Sequence, residues 1–206
     1  MPASALPLAT LGTFLLWFGW FGFNGFSQLA MGTFDDVNAI SKIAVNTHLA
    51  GAAGTVTAAV VSRLLGGKTD IIMMLNGALA GLVAITAEPL TPSPLLAIVI
   101  GAIGSIIMYF GTKFLEARHL DDVVGAIPVH MFAGIFGTLI VPATNSDTSF
   151  GTQFIGTLSV VLFSFVLSYA VFVALKATIG LRVSKEAERL GTDKAEIGVQ
   201  AYAIRD

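Results

Sequence analysis

The chain has 206 residues, of which 55% are hydrophobic and only 12% are Asp, Glu, Lys or Arg, whereas an average soluble domain is about 25% charged. This composition excludes a disordered chain, a nucleic-acid-binding protein and an enzyme with a fully solvated surface. The chain has no cysteine, which excludes disulfides, thiolate metal sites and a catalytic cysteine. The composition therefore predicts a protein whose solvent is lipid.

Charged residues divide the chain into six uncharged runs, each long enough for one transmembrane helix of about 20 residues. The first run lacks a basic segment before its apolar part, so it is predicted to be a retained helix and not a cleaved signal peptide. We therefore expect an all-α, polytopic membrane protein with six transmembrane helices. The runs are Met1 to Phe34, Ile43 to Ser62, Ile71 to Ala87, Pro89 to Thr112, Val123 to Ser146 and Thr148 to Leu175.

Lysine and arginine concentrate in alternate loops of this predicted bundle. Arg63 and Lys68 lie in one such loop, and Lys113 and Arg118 lie in another. By the positive-inside rule, these two loops and the basic C-terminal segment face the cytoplasm. The sequence thus predicts a multi-pass protein of the cell membrane with both of its termini inside.

The C-terminal segment differs in composition from everything before it. We expect a transmembrane bundle over residues 1–181 and a charged cytoplasmic tail over residues 182–206. A short helix is predicted in the tail from Ser184 to Leu190, ending at Gly191. The mixed charge of this segment favours contact with another protein over contact with anionic lipid.

Small residues recur at close helical spacing in several of the runs. In lipid, such residues let helix backbones approach each other closely. We therefore expect the helices to form a compact bundle, with the glycines at the contacts. The groups concerned are Gly51 and Gly54, Gly77 and Gly81, Gly101 and Gly104 with Ser105, and Gly134 and Gly137.

A histidine in the fifth run is the most informative polar residue. His130 lies eight residues beyond Asp122, the last charge before it, which corresponds to about 12 Å along a continuous helix. That distance places the imidazole toward the middle of the bilayer, where a polar group needs a cavity or a partner. A neutral imidazole can both donate and accept a hydrogen bond, so a functional role is favoured. His48 and His119 are interpreted as structural or surface residues.

The first run contains an unusual density of aromatic residues, LGTFLLWFGWFGFNGFS from Leu11 to Ser27. This density also fits lipid-facing bulk or an interfacial aromatic belt. However, Leu16, Trp20, Phe23 and Ser27 follow one another at steps of four, three and four, which places them on one stripe of a helix. A hydroxyl above an aromatic plug suits a small cation held by a hydrogen bond and cation–π attraction.

Three segments together resemble signatures of the ammonium transporter (Amt/Rh) family, in the right order and spacing. They are LGTFLLWFGWFGFNGFS, DDVVGAIPVHMFAGIFGTL and GLRVSKEAERLGTDKAEIGVQAY. The resemblance covers essentially the whole chain, but only the second half of the family pattern, from the sixth to the eleventh of its eleven helices. It implies half of a fold in which two inverted five-helix repeats face each other around a narrow pore. It also implies assembly of three protomers, each with its own pore.

The resemblance implies a role for each residue that matches a pore position of the family. Phe23 resembles one of two phenylalanines stacked over the pore entrance, Ser27 the hydroxyl of an external ammonium site, and His130 one of two paired pore histidines. The implied mechanism is recruitment of ammonium outside, deprotonation near the phenylalanines, and passage along the histidines. The remaining pore-lining positions are Leu16, Trp20 and Ala126.

The chain also departs from the family pattern. The second phenylalanine, a vestibule tryptophan, a buried aspartate and the first pore histidine have no counterpart in it. Phe26 stands where the family usually has a small residue, and Gly125 where some members carry a carboxylate. We therefore expect the C-terminal half of an ammonium transporter, from a truncated gene model or a split gene.

Two other function classes compete with transport. In the first, the chain is a non-transporting membrane partner whose tail docks regulators, since family tails contact neighbouring protomers and PII-type signal proteins. In the second, it is a membrane-embedded enzyme. The sequence has no HExxH or GxSxG motif, and Asp121 and Asp122 are expected in a loop, so the enzyme hypothesis is rejected. No cofactor or metal is expected; the expected partners are ammonium or ammonia, the bilayer, two further copies of the chain and a PII-type protein.

Overall fold

A computed structural model describes residues 5–201, and within that range the chain contains helices and no strand. Apolar helices occupy all six uncharged runs, and short 3-10 or π segments adjoin some of them. The helices are α1 (Leu6–Gly25), α2 (Phe34–Gly66), α3 (Ile71–Thr86), α4 (Pro94–Ala117), α5 (Ala133–Ile140), α6 (Phe150–Thr178) and α7 (Lys185–Leu190). The short segments are two 3-10 turns, Phe26–Gln28 and Val141–Ala143, and two π segments, Ile127–Phe132 and Asp193–Ile197.

Four of these helices are long and apolar enough to cross a bilayer: α1 with its 3-10 turn, α2, α4 and α6. Two shorter apolar helices, Ile71–Thr86 and Ile127–Ala143, lie between them in the chain. The expectation of a multi-pass, all-helical membrane protein is therefore confirmed. The crossing of the membrane by the two shorter helices stays a prediction, because a helix of 16 residues extends only about 24 Å at 1.5 Å per residue.

The ends of α1 and α2 differ from what the charge pattern indicates. The α-helical part of α1 ends at Gly25, and a 3-10 turn follows that contains Ser27. Helix α2 begins at Phe34, well before the uncharged run at Ile43, because Thr33 and Asp36 form a capping box. The Thr33 hydroxyl accepts a hydrogen bond from the Asp36 amide at 3.1 Å, and the Asp36 carboxylate accepts one from the Thr33 amide at 3.0 Å. Charge counting misses this start because a cap stabilises polar residues in the first turn.

Helices α2, α3 and α4 pack through glycines, which confirms the role expected for these residues. A β-carbon on Gly54 would collide with the carbonyl oxygen of Gly77, and one on Gly101 would collide with the carbonyl oxygen of Ala50. Ser105 Oγ donates a hydrogen bond to the Gly54 carbonyl at 2.8 Å. Backbone thus touches backbone across these contacts, which only residues without a side chain allow.

Two amide side chains hold the connections at one end of this bundle. Asn46 of α2 donates from Nδ2 to the carbonyl oxygens of Pro89 and Pro92, at 2.9 and 2.8 Å. Asn145 donates to Glu88 Oε2 at 2.8 Å. The prolines and these bonds keep the α3–α4 connection short and fixed against α2.

The helix that carries His130 begins later than the charge count indicates. Asp122 accepts hydrogen bonds from the amides of Ala126 and Ile127, at 2.9 and 2.8 Å, so the chain turns before helix formation starts. The π segment from Ile127 then continues into α5. His130 consequently lies near the start of this helix, and counting 12 Å of continuous helix from Asp122 was wrong. Its depth in the bilayer stays a prediction.

The described residues fall into two compact units, of which the first ends at Thr157 and the second begins at Leu158. In the second unit, the predicted tail helix is confirmed as α7, with Ser184 as its N-cap and Gly191 as its C-cap. The Asp193 carboxylate accepts a hydrogen bond from the Ala201 amide at 2.8 Å, and this bond holds the pKa of Asp193 below its usual value. Residues 1–4 of the predicted bundle and 202–206 of the predicted tail lie outside the described residues.

Candidate functional site

Three of the predicted pore residues meet in one groove of the first unit. Leu16 of α1, Ala126 and His130 line a groove of ≈ 340 Å³ between α1, the first half of α3 and the start of the His130 helix. The lining is mainly aliphatic, so an ion in the groove would lose most of its hydration without replacement. The other lining residues are Ala9, Gly12, Thr13, Ile72, Leu75, Asn76, Leu79, Val123, Val124, Gly125 and Val129.

The imidazole of His130 faces the groove and has no hydrogen-bond partner among the described residues. Pro128 and Val129 before it are buried, while the imidazole is exposed into the groove. Among the described residues no side chain or backbone group hydrogen-bonds to the His130 ring, so both of its nitrogens are available. Thr13 also lines the groove, and its hydroxyl donates to the Ala9 carbonyl at 3.0 Å. The groove also brings His130 to the same cavity as Leu16, which lies in the middle of α1.

The aromatic residues of the predicted stripe form a separate contact. The Trp20 and Phe23 rings are 5.9 Å apart and meet edge to face at 62°. Trp20 packs against the hydrophobic core, whereas Phe23 is 64% exposed. Neither residue lines the groove beside His130. The structure therefore brings Leu16, Ala126 and His130 together, and it brings Trp20 and Phe23 together on the same helix as Leu16.

Ser27 lies beyond Phe23, in the 3-10 turn, and its side chain is exposed. Its Oγ donates a hydrogen bond to the Phe23 carbonyl oxygen at 3.2 Å. The hydroxyl proton is thus engaged, and the oxygen lone pairs remain able to accept a hydrogen bond from another donor. Phe26 is 77% exposed, and its ring lies over Gly22, where a β-carbon would be 3.5 Å away.

Two polar residues beside the aromatic stripe, Thr86 and Asn24, have buried or inter-helix hydrogen bonds that the sequence pattern did not predict. Thr86 of α3 accepts a hydrogen bond from the Trp20 indole N–H at 2.7 Å and donates one to the Leu82 carbonyl at 2.6 Å. Asn24 is fully buried; its Nδ2 donates to Thr47 Oγ1 at 3.0 Å, and its Oδ1 is buried without a partner. The signal for Asn24 was its place directly after Phe23 in an otherwise apolar run. No local pattern singles out Thr86.

Gly125 closes one end of the groove and explains a departure noted in the sequence. Its φ of 72° lies in the left-handed region, which favours glycine. A β-carbon there would also be 2.6 Å from Nδ2 of Asn76. The side-chain amide of Asn76 thus occupies the space that a carboxylate at position 125 would take. A carboxylate there would require a different backbone conformation and a displaced Asn76.

The other two histidines lie outside the groove. His48 is exposed on α2; its ring is 6.2 Å from that of Phe21 in a stacked arrangement and 5.5 Å from that of Trp17. His119 follows α4 in a turn with a φ of 54°. Neither residue lines the groove, and their interpretation as structural or surface residues stays a prediction.

Comparison with known proteins gives one consistent result. The model of the Ammonium Transporter Family matches residues 1–202. Ammonium transporter Amt2 of Archaeoglobus fulgidus is 43% identical, over 98% of this chain and 47% of its own length. Ammonium transporter Amt1 of Haloferax mediterranei is 36% identical, over 98% of this chain and 42% of its own length. The chain thus spans about half the length of the curated relatives that it matches.

Solved structures agree with these relatives in fold. A Sensor Amt Protein superposes with a TM-score of 0.87 at 36% identity, over 94% of this chain and 49% of the solved chain. Mep2 of Candida albicans superposes with a TM-score of 0.79 at 27% identity, over 92% of this chain and 45% of the solved chain. The helical arrangement described above is therefore one that these solved proteins also adopt over about half their length.

Proposed function

Since the chain belongs to the ammonium transporter family, we propose that it forms one wall of a path that carries ammonium across the cell membrane. The observation that carries this proposal is the unpaired imidazole of His130 in an aliphatic groove with Leu16 and Ala126. A protonatable group with both nitrogens available is poised to exchange a proton with a nitrogen base. The lining around it can accommodate a small neutral molecule.

The groove accounts for selection between ammonium and other monovalent cations. An intact cation entering an aliphatic groove pays a large desolvation cost. Ammonium avoids that cost by transferring a proton to the neutral His130 imidazole, which later releases it on the other side of the membrane, and by moving as ammonia. Potassium has no proton to give up, so the same groove rejects it.

The residues at the outer end of α1 are proposed to recruit the cation before it loses its proton. The faces of Phe23 and Trp20 attract a small cation, and the Ser27 oxygen, whose own proton is directed to the Phe23 carbonyl, accepts a hydrogen bond from its N–H. Ammonium would then pass from this site to the groove along the stripe that Trp20 and Leu16 share on α1.

The proposal includes a second wall. The groove is open on one side in this chain, and the curated relatives are about twice as long as their matching part. We infer that transport requires a segment equivalent to the other half of those relatives. In the proposed functional state, three such assemblies associate, each with its own path. Both termini of this chain lie in the cytoplasm, where a PII-type protein binds the tail.

The test pairs this chain with the remaining, unmatched half of Amt2 from Archaeoglobus fulgidus in proteoliposomes and measures ammonium and potassium flux. His130→Ala is expected to reduce ammonium flux at least about tenfold, which corresponds to about 1.4 kcal/mol of barrier, or to admit potassium. His48→Ala is the matched control, because His48 lies outside the groove, and it should leave both fluxes unchanged. Unchanged flux and selectivity in His130→Ala would remove this residue from the mechanism.

The second hypothesis, a non-transporting partner that docks regulators through its tail, is not favoured, because it gives the groove no role. The same assay separates the two. Deleting residues 182–206 should leave intrinsic flux in place if the groove transports ammonium, whereas it should abolish the entire phenotype if docking is the sole function. Flux that depends on the tail and not on His130 would favour the docking hypothesis.

A further inference from the structure

A second groove lies at the end of the bundle where α2 ends, α3 begins and α4 approaches its last turn. Its volume is ≈ 780 Å³, and it belongs wholly to the first unit. This is the end that carries the basic loops, and hydrocarbon gives way to headgroups at the ends of membrane helices. We propose that this groove binds the headgroup of an anionic phospholipid, with its phosphate between Lys68 and Lys113.

The polar lining supplies donors for a phosphate. Lys68 is in the exposed turn between α2 and α3. Lys113 projects from α4, and its Nζ contacts Glu116 Oε2 at 2.9 Å in a pair whose side chains are 51% and 56% exposed. Such an exposed pair contributes little to stability, and an ammonium group has three donors. Lys113 can therefore bind a phosphate oxygen without losing a strong interaction.

The phenol of Tyr109 adds a donor on the wall of the groove. The residue is 5% exposed, and its hydroxyl lies next to Gly66, where a β-carbon would be 4.0 Å from the oxygen. Asp70 is the one carboxylate of the described lining. Its Oδ1 accepts hydrogen bonds from the amides of Ile72 and Met73, at 2.9 and 3.2 Å, so its charge is directed to the start of α3.

Apolar side chains flank the lysines and make a lipid the occupant that fits. Leu65, Ile71 and Phe110 line the groove and are also exposed. A soluble phosphate would gain nothing from these side chains, whereas the acyl chains of a phospholipid would cover them. The amphipathic lining thus matches a molecule with an anionic head and apolar chains.

The neighbouring groove on the other side of the start of α3 provides an internal contrast. Its lining includes four carboxylates, those of Asp70, Glu116, Asp121 and Asp122, which would repel a phosphate. The proposed affinity for anions is therefore not a general property of this end of the bundle. It is confined to the groove between α2 and α4, which Lys68 and Lys113 line.

The proposal is tested by native mass spectrometry of the detergent-solubilised chain with phosphatidylglycerol and with phosphatidylcholine of the same acyl chains. Each lysine near a membrane surface contributes about 1 kcal/mol toward an anionic lipid, which is about fivefold in affinity. Lys68→Gln should weaken phosphatidylglycerol binding about fivefold, and Lys68→Gln with Lys113→Gln about thirtyfold. Phosphatidylcholine binding should not change.

Two controls make the outcome decisive. Lys42→Gln with Lys176→Gln removes the same charge elsewhere and should change phosphatidylglycerol binding less than about twofold, since neither lysine lines the groove. Lys68→Arg with Lys113→Arg keeps the charge and should retain binding. An equal loss in the control pair, or no preference between the two lipids, would overturn the site. Displacement of the lipid by an equal concentration of soluble glycerol phosphate would overturn a lipid as its occupant.

Discussion

Single residues decide how the aromatic part of the candidate path is held. Trp20 contacts Phe23 edge to face, and its indole N–H donates to Thr86 on another helix. Thr86 in turn donates to the Leu82 carbonyl, so its hydroxyl oxygen is oriented toward the indole. Thr86 is thus a positioning residue for Trp20 and, through that ring, for Phe23, which has few other contacts because it is exposed.

Thr86→Val tests this chain of contacts. It removes the acceptor without changing the shape, and a neutral hydrogen bond contributes about 0.5 to 1.5 kcal/mol. In a Trp17→Phe background, Trp20 is the only tryptophan that remains of the two, so the ultraviolet resonance Raman band that reports indole N–H bonding should shift to higher frequency. Thr86→Ser keeps the hydroxyl and should restore the original band. An unshifted band in Thr86→Val would show that the indole finds another acceptor.

At the scale of elements, the architecture depends on how closely helices approach. The contacts of α2 with α3 and α4 are made by glycines whose neighbours are backbone carbonyls. The glycines of α1 are different: a β-carbon added at Gly12 or at Gly19 would have nothing within 4 Å. The same residue type therefore has a packing role in α2 and none at these two positions of α1.

Gly54→Ala measures that packing role. The added methyl group would meet the Gly77 carbonyl, and overpacking of this kind costs about 1 to 3 kcal/mol. Unfolding in mixed micelles should show that loss of stability. Gly19→Ala is the matched control, and it should be neutral or slightly stabilising because alanine favours a helix by up to about 1 kcal/mol over glycine. Equal effects of the two substitutions would contradict close contact between α2 and α3.

For the whole molecule, the central property is that the groove beside His130 is open to one side. An aliphatic groove open to lipid would fill with acyl chains, so the proposed path requires a second wall that excludes them. The relatives supply about twice the length of this chain, which is the physical basis for proposing that wall.

Spin labelling tests whether a second half covers the groove beside His130. Because the chain has no cysteine, a single cysteine can be introduced and labelled without removing others. A label at Leu16→Cys should be accessible to oxygen, which partitions into lipid, when the chain is alone in vesicles. Its oxygen accessibility should fall several-fold when the unmatched half of Amt2 from Archaeoglobus fulgidus is present. An unchanged label at Leu16 would show that the second half does not cover the groove.

The sequence by itself determined the properties that depend on local composition. Six uncharged runs indicated apolar helices in the places where the structure has them, Ser184 and Gly191 indicated the bounds of α7, and the motif around His130 indicated the family. These predictions succeeded because hydrophobicity, capping and motif spacing are read within about one helix length. The role of each site residue remains a prediction.

Only the tertiary structure decided which residues meet. Leu16 and His130 are far apart in the chain, and it is the packing of helices that brings them into one groove, while Phe23, two turns beyond Leu16 on the same helix, stays outside it. The start of the His130 helix was misplaced because the Asp122 side chain, and not the end of a charged run, determines where the helix begins. Thr86 was missed for the same reason: hydrogen bonding to Trp20 links two helices, and no pattern within either helix encodes it.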